Sequence, residues 1–329
     1  MNEAMEMQTN MTRRAFFRIA TESTAVAAAL GSPVLATHAA DSLETAQNKF
    51  RGELKKSIDF RMLQKDLTTM EKFRISKRAG FEGIEIQALE DPAQYDEFNE
   101  AAHASGLRIH SVMNRRNWTH PLSSADPEVV RNSLAGIEMA LRTARAVGAD
   151  TTLLIPAVVN EETSYKDAYV RSQNNIRKMI PLARELNIII AVENVWNRFL
   201  LSPLEFKRYV EEFDSPFVKA YFDVGNIVIY GFPQDWIRTL GELIVKIHIK
   251  DFDTAELISA EVFYHVDKTP SFKAFKNLGE GKINWREVRR ALSDIGYSGF
   301  INAELRGGDP EYLRDVCIRM DKIISGDEL

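Results

Sequence analysis

The sequence predicts an α/β chain closed into a single-domain (β/α)8 (TIM) barrel, and three observations predict it. From about residue 54, eight short β-like runs alternate with amphipathic helical stretches. Most of the runs are five or six residues long and rich in Ile, Val and Phe, as barrel strands are. The chain has 329 residues, and setting aside a short leader leaves enough for a barrel of about 250 residues with insertions. Alternating strands and helices favour a parallel sheet with right-handed crossovers. The competing open, doubly wound sheet calls for a Gly-x-Gly-x-x-Gly after its first strand, and none is there.

Taken in order, residues 1–40 read as a leader and 41–329 as the barrel. Thr12-Arg13-Arg14-Ala15-Phe16-Phe17-Arg18 precedes a mildly apolar stretch from Ala25 to Leu30, and small residues surround Ala36, Ala39 and Ala40. The pattern resembles a twin-arginine export signal, which implies a cleaved leader and a periplasmic protein. The apolar stretch is too short for a good membrane span, so no stable membrane anchor is expected.

The expected strands are Lys55–Phe60, Gly83–Gln87, Leu107–Val112, Thr151–Pro156, Ile188–Glu193, Val218–Asp223, Val245–Ile249 and Phe300–Glu304. Between them, Leu67–Arg78 reads as a helix stopped by Ala79-Gly80. Asp126-Pro127 opens a long helix that ends near Val147-Gly148, with aspartate as cap and proline in the first turn. Ser202-Pro203 opens another in the same way, and Asn284-Trp285 starts one ending near Gly296. The long connection from Asp251 to Ile283 carries Phe263, Tyr264, His265 and Phe272. It reads equally well as a lid over the barrel mouth or as a packed surface excursion.

Composition narrows the function. Hydrophobic residues make up 45% of the chain, enough for a sizeable core. A net charge of −5 without a long basic run argues against a nucleic-acid partner. The single cysteine, Cys317, excludes an internal disulfide and a cysteine-rich zinc site, and it fits a buried helix position.

Four strand ends carry metal-binding side chains: Ile189-Ile190-Ala191-Val192-Glu193-Asn194, Ala220-Tyr221-Phe222-Asp223-Val224-Gly225-Asn226, Val245-Lys246-Ile247-His248-Ile249-Lys250-Asp251 and Phe300-Ile301-Asn302-Ala303-Glu304. In a parallel barrel the carboxyl ends of all strands open on one face. Glu193, Asp223, His248 and Glu304 are therefore placed to converge on one ion. Three carboxylates and one imidazole suit Mn2+, Mg2+ or Co2+ with two positions left for a vicinal hydroxyl and carbonyl. Glu193 and Glu304, from non-neighbouring strands, are the natural pair to remove and return a proton next to the carbonyl.

Val192-Glu193-Asn194, Phe222-Asp223-Val224-Gly225-Asn226, His248-Ile249-Lys250-Asp251 and Gly279-Glu280-Gly281 are similar to motifs of the xylose isomerase-like sugar isomerase/epimerase superfamily. The resemblance leans toward the L-ribulose-5-phosphate 3-epimerase and hexulose-6-phosphate isomerase branch. It implies that Glu193, Asp223, His248 and Glu304 hold the metal and that Glu193 and Glu304 are the acid/base pair. Many free-ketose 3-epimerases have histidine three residues after the aspartate, where this chain has Asn226, as the ribulose-phosphate branch does. Asn226 can hydrogen-bond a hydroxyl but cannot shuttle a proton.

Glu85 and His110, near the ends of strands two and three, are further expected substrate contacts, with Lys250 and Arg306. Arg306-Gly307-Gly308 offers amides beside a guanidinium, as a phosphate site would. Asp251 is expected to orient a ligand from behind. The function expected is a metal-dependent isomerase or epimerase of a keto-sugar, acting through an enediolate. The alternative is a keto-sugar or keto-cyclitol lyase or dehydratase of the same superfamily. A non-catalytic exported sugar-binding protein is a further reading, and six histidines are too few for a three-metal nuclease site. The partner expected is a small sugar, and a homo-oligomer is compatible with the sequence.

Overall fold

Eight parallel strands close on themselves in the computed structural model, which describes residues 50–229, 231–259 and 274–329. The first seven are β1 (Leu54–Asp59), β2 (Gly83–Gln87), β3 (Arg108–Met113), β4 (Thr151–Leu154), β5 (Ile189–Glu193), β6 (Val218–Asp223) and β7 (Ile244–Ile249). A two-stranded antiparallel ribbon follows, β8 (Asp251–Phe252) with β9 (Phe275–Lys276), and β10 (Gly299–Ala303) completes the barrel. Closure comes from β1 pairing with both β2 and β10, with Ile58 opposite Ala303. Each barrel strand therefore has two neighbours, and no open edge is left among them.

The helices start and stop where the local chemistry requires. Thr68 and Glu71 form a reciprocal capping box ahead of the helix Thr69–Ala79, and Gly80 ends it at φ 108°, a left-handed conformation costly for other residues. Asp126 accepts from the Glu128 backbone and Pro127 takes the first turn of the twenty-residue helix Pro127–Ala146. Ser202 and Asn284 cap Pro203–Glu211 and Trp285–Asp294 in the same way.

Alternation along the strands separates two environments. Ile58, Ile84, Phe222, Ile247 and Ile301 are buried in the core between barrel and helices. Their neighbours Asp59, Glu85, Asp223, His248 and Asn302 are buried too, on the opposite, lumen face. A separate apolar cluster of Leu153, Ile155, Ala191, Val195 and Tyr221 fills the lumen beside β4, β5 and β6. The lumen is thus apolar along one wall and charged along the other. Cys317 is buried in the helix Pro310–Ser325.

All eight expected strands are present, two of them with the expected ends and the rest with ends that differ by at most two residues. The largest consequence is at β10, which ends at Ala303. Glu304 follows it, its N–H bonding the Ile249 carbonyl at 3.1 Å, so its side chain stands on the rim. The expected leader and the insertion residues Phe263, Tyr264, His265 and Phe272, read as a lid or a surface excursion, lie outside the described residues.

Candidate metal centre at the carboxyl-terminal mouth

Register places the four expected ligands side by side. Asp223 is opposite His248, His248 is opposite Asn302, and Glu193 is opposite Tyr221, two residues before Asp223. One ligand atom from each of Glu193, Asp223, His248 and Glu304 lies within 4.8 Å of all the others. His248 Nδ1 is 2.8 Å from Glu193 Oε1, 3.4 Å from Glu304 Oε2 and 3.9 Å from Asp223 Oδ2. The first three residues are buried, while the Glu304 side chain keeps 24% of its surface exposed.

The donor set fits a hard divalent cation: three carboxylates and one imidazole. Asp223 Oδ2 is buried and accepts no aligned hydrogen bond, although Lys250 Nζ lies 2.8 Å away. Asp223 Oδ1 is taken by the Asn226 N–H at 2.8 Å, so Oδ2 is the oxygen left for a cation.

Clustered like charges out of water shift these groups strongly. Burial, partly offset by His248 and reinforced by Glu304 and Asp223, pushes the Glu193 carboxyl up to about 7. Burial also raises Asp223, despite Lys250. Burial disfavours the charged imidazolium of His248, but Glu85, Glu304 and Glu193 outweigh it and raise its pKa well above the usual range. Glu304 goes the other way: burial is overcome by Lys250, His248 and Arg61, which hold it well below the carboxylate range.

The other expected residues take different places. Glu85 is the third residue of β2, not its last, and it is buried beneath the cluster. Its Oε2 lies 2.7 Å from His248 Nε2 and accepts from Asn302 Nδ2 at 3.2 Å. It therefore holds the Nε2 edge of the imidazole, with Nδ1 turned toward the ligand cluster. Glu85→Gln is expected to weaken Mn2+ binding about tenfold by losing that charge, checked by calorimetric titration of the chelator-stripped protein.

His110 is likewise the third residue of β3, because that strand runs on to Met113. It is fully buried in the lumen, stacked on Phe300 at 4.4 Å between ring centroids. Phe300 lies about 13 Å along the chain from Glu304, so His110 sits toward the amino-terminal end of the lumen, away from the ligand cluster. Neither ring nitrogen makes a hydrogen bond of normal length. Burial, with Lys246 nearby, holds its pKa well below the usual value, against a smaller opposing effect of Asn302. A depressed histidine contributes stability that is present above pH ~6.5 and lost as pH falls through that value. His248 has the opposite sign, so the wild-type profile mixes the two. The difference between wild type and His110→Phe isolates the first: as pH falls below ~6.5, metal-free wild type should lose more stability than the variant, measured by urea unfolding.

Asn226 cross-links the turn after β6. Its Nδ2 donates to the Asn194 carbonyl at 2.9 Å, and its own carbonyl accepts from Trp196 Nε1 at 2.9 Å. Asn194 returns two bonds to the Asp223 backbone. Lys250 is buried with its ammonium 2.6 Å from Glu304 Oε2. Asp251 turns away from the ligands. It accepts from the Gly279 N–H at 2.8 Å and from Trp285 Nε1 at 2.9 Å, tying together the two ends of the insertion. A Cβ at Gly281 would fall 1.9 Å from Asp251 Oδ1, so the Gly279-Glu280-Gly281 turn needs glycine there for close approach.

A cavity of about 290 Å3 opens beside the cluster, lined by Asp59, Arg61, Lys250, Phe275, Glu304 and Arg306 among others. Arg306 stands over the Phe275 ring at 6.0 Å. Glu304 belongs to both cavity and cluster, and Lys250 lines the cavity while contacting Asp223 and Glu304 of the cluster. Asp59 and Arg61 were not legible as site residues, although an aspartate at the end of a strand is the same signal that marked the ligands.

A model of the xylose isomerase-like TIM barrel family matches residues 73–321. The chain belongs to this family. A putative L-ribulose-5-phosphate 3-epimerase of Haemophilus influenzae is 25% identical over 256 residues, covering 74% of this chain and 85% of that protein. A D-psicose 3-epimerase of Ruminiclostridium cellulolyticum is 25% identical over 252 residues, covering 71% and 77%. Among solved structures, the 3-keto-D-glucoside 4-epimerase of Escherichia coli superposes with a TM-score of 0.67 at 17% identity, covering 82% of this chain and all of that one. No helix among the described residues is long and apolar enough to cross a membrane.

Proposed function

We propose that this member of the xylose isomerase-like family is a divalent-cation-dependent isomerase or epimerase of a keto-sugar. The observation that carries the reading is the convergence of Glu193, Asp223, His248 and Glu304 within 4.8 Å at the mouth of the barrel. Two relatives similar over most of their length are named as a putative sugar-phosphate 3-epimerase and a ketose 3-epimerase.

A cation held by these four residues supplies Lewis-acid polarisation of a substrate carbonyl. Mn2+, Mg2+ and Co2+ all suit the donors. Glu193 and Glu304 then hold and move the proton next to that carbonyl. Glu304 is kept ionised by Lys250, His248 and Arg61 and can accept a proton, and Glu193, from a non-neighbouring strand across the site, can return one. Lys250, between Asp223 and Glu304, is placed to touch a substrate oxygen from the cavity side.

The leader motif supports export by the twin-arginine pathway with the mature chain in the periplasm. Phosphorylated sugars are mainly cytoplasmic, so the reading favours a free or oxidised sugar. Arg13→Lys with Arg14→Lys should hold a tagged chain in the cytoplasmic fraction. Normal export of that double variant would refute the location.

The test of the reaction is metal analysis of the purified chain with a keto-sugar panel in heavy water. Solvent deuterium appearing in recovered sugar or its epimer, without loss of water, supports isomerisation. A new unsaturated product would assign elimination instead. A chain that carries no metal and gains no activity from any added cation sinks the proposal.

A further inference from the structure

Two side chains at the end of β1 reach across the rim to Glu304. Asp59, the last residue of β1, is 3% exposed. Its Oδ1 accepts from the Arg61 backbone N–H at 2.8 Å, and its Oδ2 accepts from Arg61 Nε at 2.8 Å and also from Nη2. The same Nη2 donates to Glu304 Oε1 at 2.7 Å. The bridge is local because β1 and β10 are paired neighbours.

The Glu304 carboxylate is therefore divided. Oε1 belongs to Arg61. Oε2 faces the ligand cluster, 3.4 Å from His248 Nδ1 and 2.6 Å from Lys250 Nζ.

We propose that Arg61, clamped by Asp59, is a positioning residue that presents Glu304 to the cation through Oε2 alone and keeps Oε1 out of its coordination sphere. The proposal rests on the reading that the cluster holds a divalent cation. A carboxylate without such a restraint can give both oxygens to a hard cation. Four protein donor atoms leave two of six octahedral positions open, and a second Glu304 oxygen would take one of them. The substrate needs both, one for a carbonyl and one for a hydroxyl. Arginine suits the task because its planar fork grips two carboxylates at fixed angles, whereas a lysine ammonium is a single mobile point. The double anchor on Asp59 means that little freedom is lost when the third bond forms.

Mn2+ is the probe, used with the full chain. Water-proton relaxation reports exchangeable water on bound Mn2+ without any turnover. Arg61→Met should bind Mn2+ within about threefold of wild type, but relaxation per bound ion should fall by about half as Oε1 replaces one of two waters. Arg61→Met leaves Asp59 buried without its partner, so a second variant, Asp59→Asn with Arg61→Met, removes that charge and should show the same fall. Unchanged relaxation in a folded variant, single or double, overturns the proposal. So does Mn2+ binding weakened thirtyfold or more, which would mean that Arg61 holds the whole ligand rather than its second oxygen. Wild-type protein that binds no Mn2+ would remove the cation reading itself, and this role with it.

Discussion

Glu304→Gln should lower turnover of the responsive keto-sugar by about a thousandfold, within the range that removal of a general acid or base produces. Glu304 is the one member of the ligand cluster that also lines the cavity. Its carboxylate is held ionised because Lys250, His248 and Arg61 together outweigh the cost of burial. Glutamine has nearly the same shape and can still accept from either Arg61 or Lys250 through its one oxygen, and the exposed rim position lets the other cation turn to water, so the fold should survive. It cannot take a proton. The variant should therefore lose solvent deuterium exchange in parallel with turnover. Glu304→Asp offers the needed contrast, since it keeps the charge but withdraws the oxygens by one methylene. It should bind cation detectably and retain a small fraction of the rate. Turnover of Glu304→Gln within tenfold of wild type, measured at saturating cation, would remove Glu304 from the proton-transfer step.

The barrel was legible because periodicity and length carry it. Strand ends were readable to within two residues, and that tolerance decided which site residues could be placed. Glu193, Asp223 and His248 close apolar runs, so a shift of one residue does not move them off the mouth. Glu85 and His110 sit at the third position of strands that run on to Gln87 and Met113. Nothing local separates a residue at the mouth from one deeper in the lumen. That depth is set by the stagger between neighbouring strands, here including a register shift between Ile84 and Glu85. Asp251 was misplaced for a related reason. It stands beside the ligand histidine in sequence, but its partners Gly279 and Trp285 come from the far end of the insertion. Asp59 and Arg61 were missed because their role exists only once β1 meets β10.

Stripping the chain with chelator and restoring Mn2+ should move the melting temperature by several degrees. The ligand cluster packs carboxylates against one another away from water, a cost that a bound cation offsets. At a thousandfold excess over its dissociation constant the cation stabilises by about 4 kcal/mol. For a domain of this size that is about 7 °C. Asp223→Asn, which removes the carboxylate whose Oδ2 lacks an aligned donor, should abolish most of the shift. The pH dependence has a definite sign. In the metal-free chain, Glu193 is raised to about 7 by burial and its carboxylate neighbours, and His248 is raised by Glu85, Glu304 and Glu193. Both groups must give up their protons to become ligands, so binding releases protons and weakens as pH falls. Below pH 7 the affinity should drop by up to about a hundredfold per pH unit, tenfold for each proton released. Calorimetry in buffers of different ionisation enthalpy counts those protons directly. A melting temperature indifferent to Mn2+ at pH 7.5, or a shift that grows as the solution is acidified, would contradict ligation by these groups.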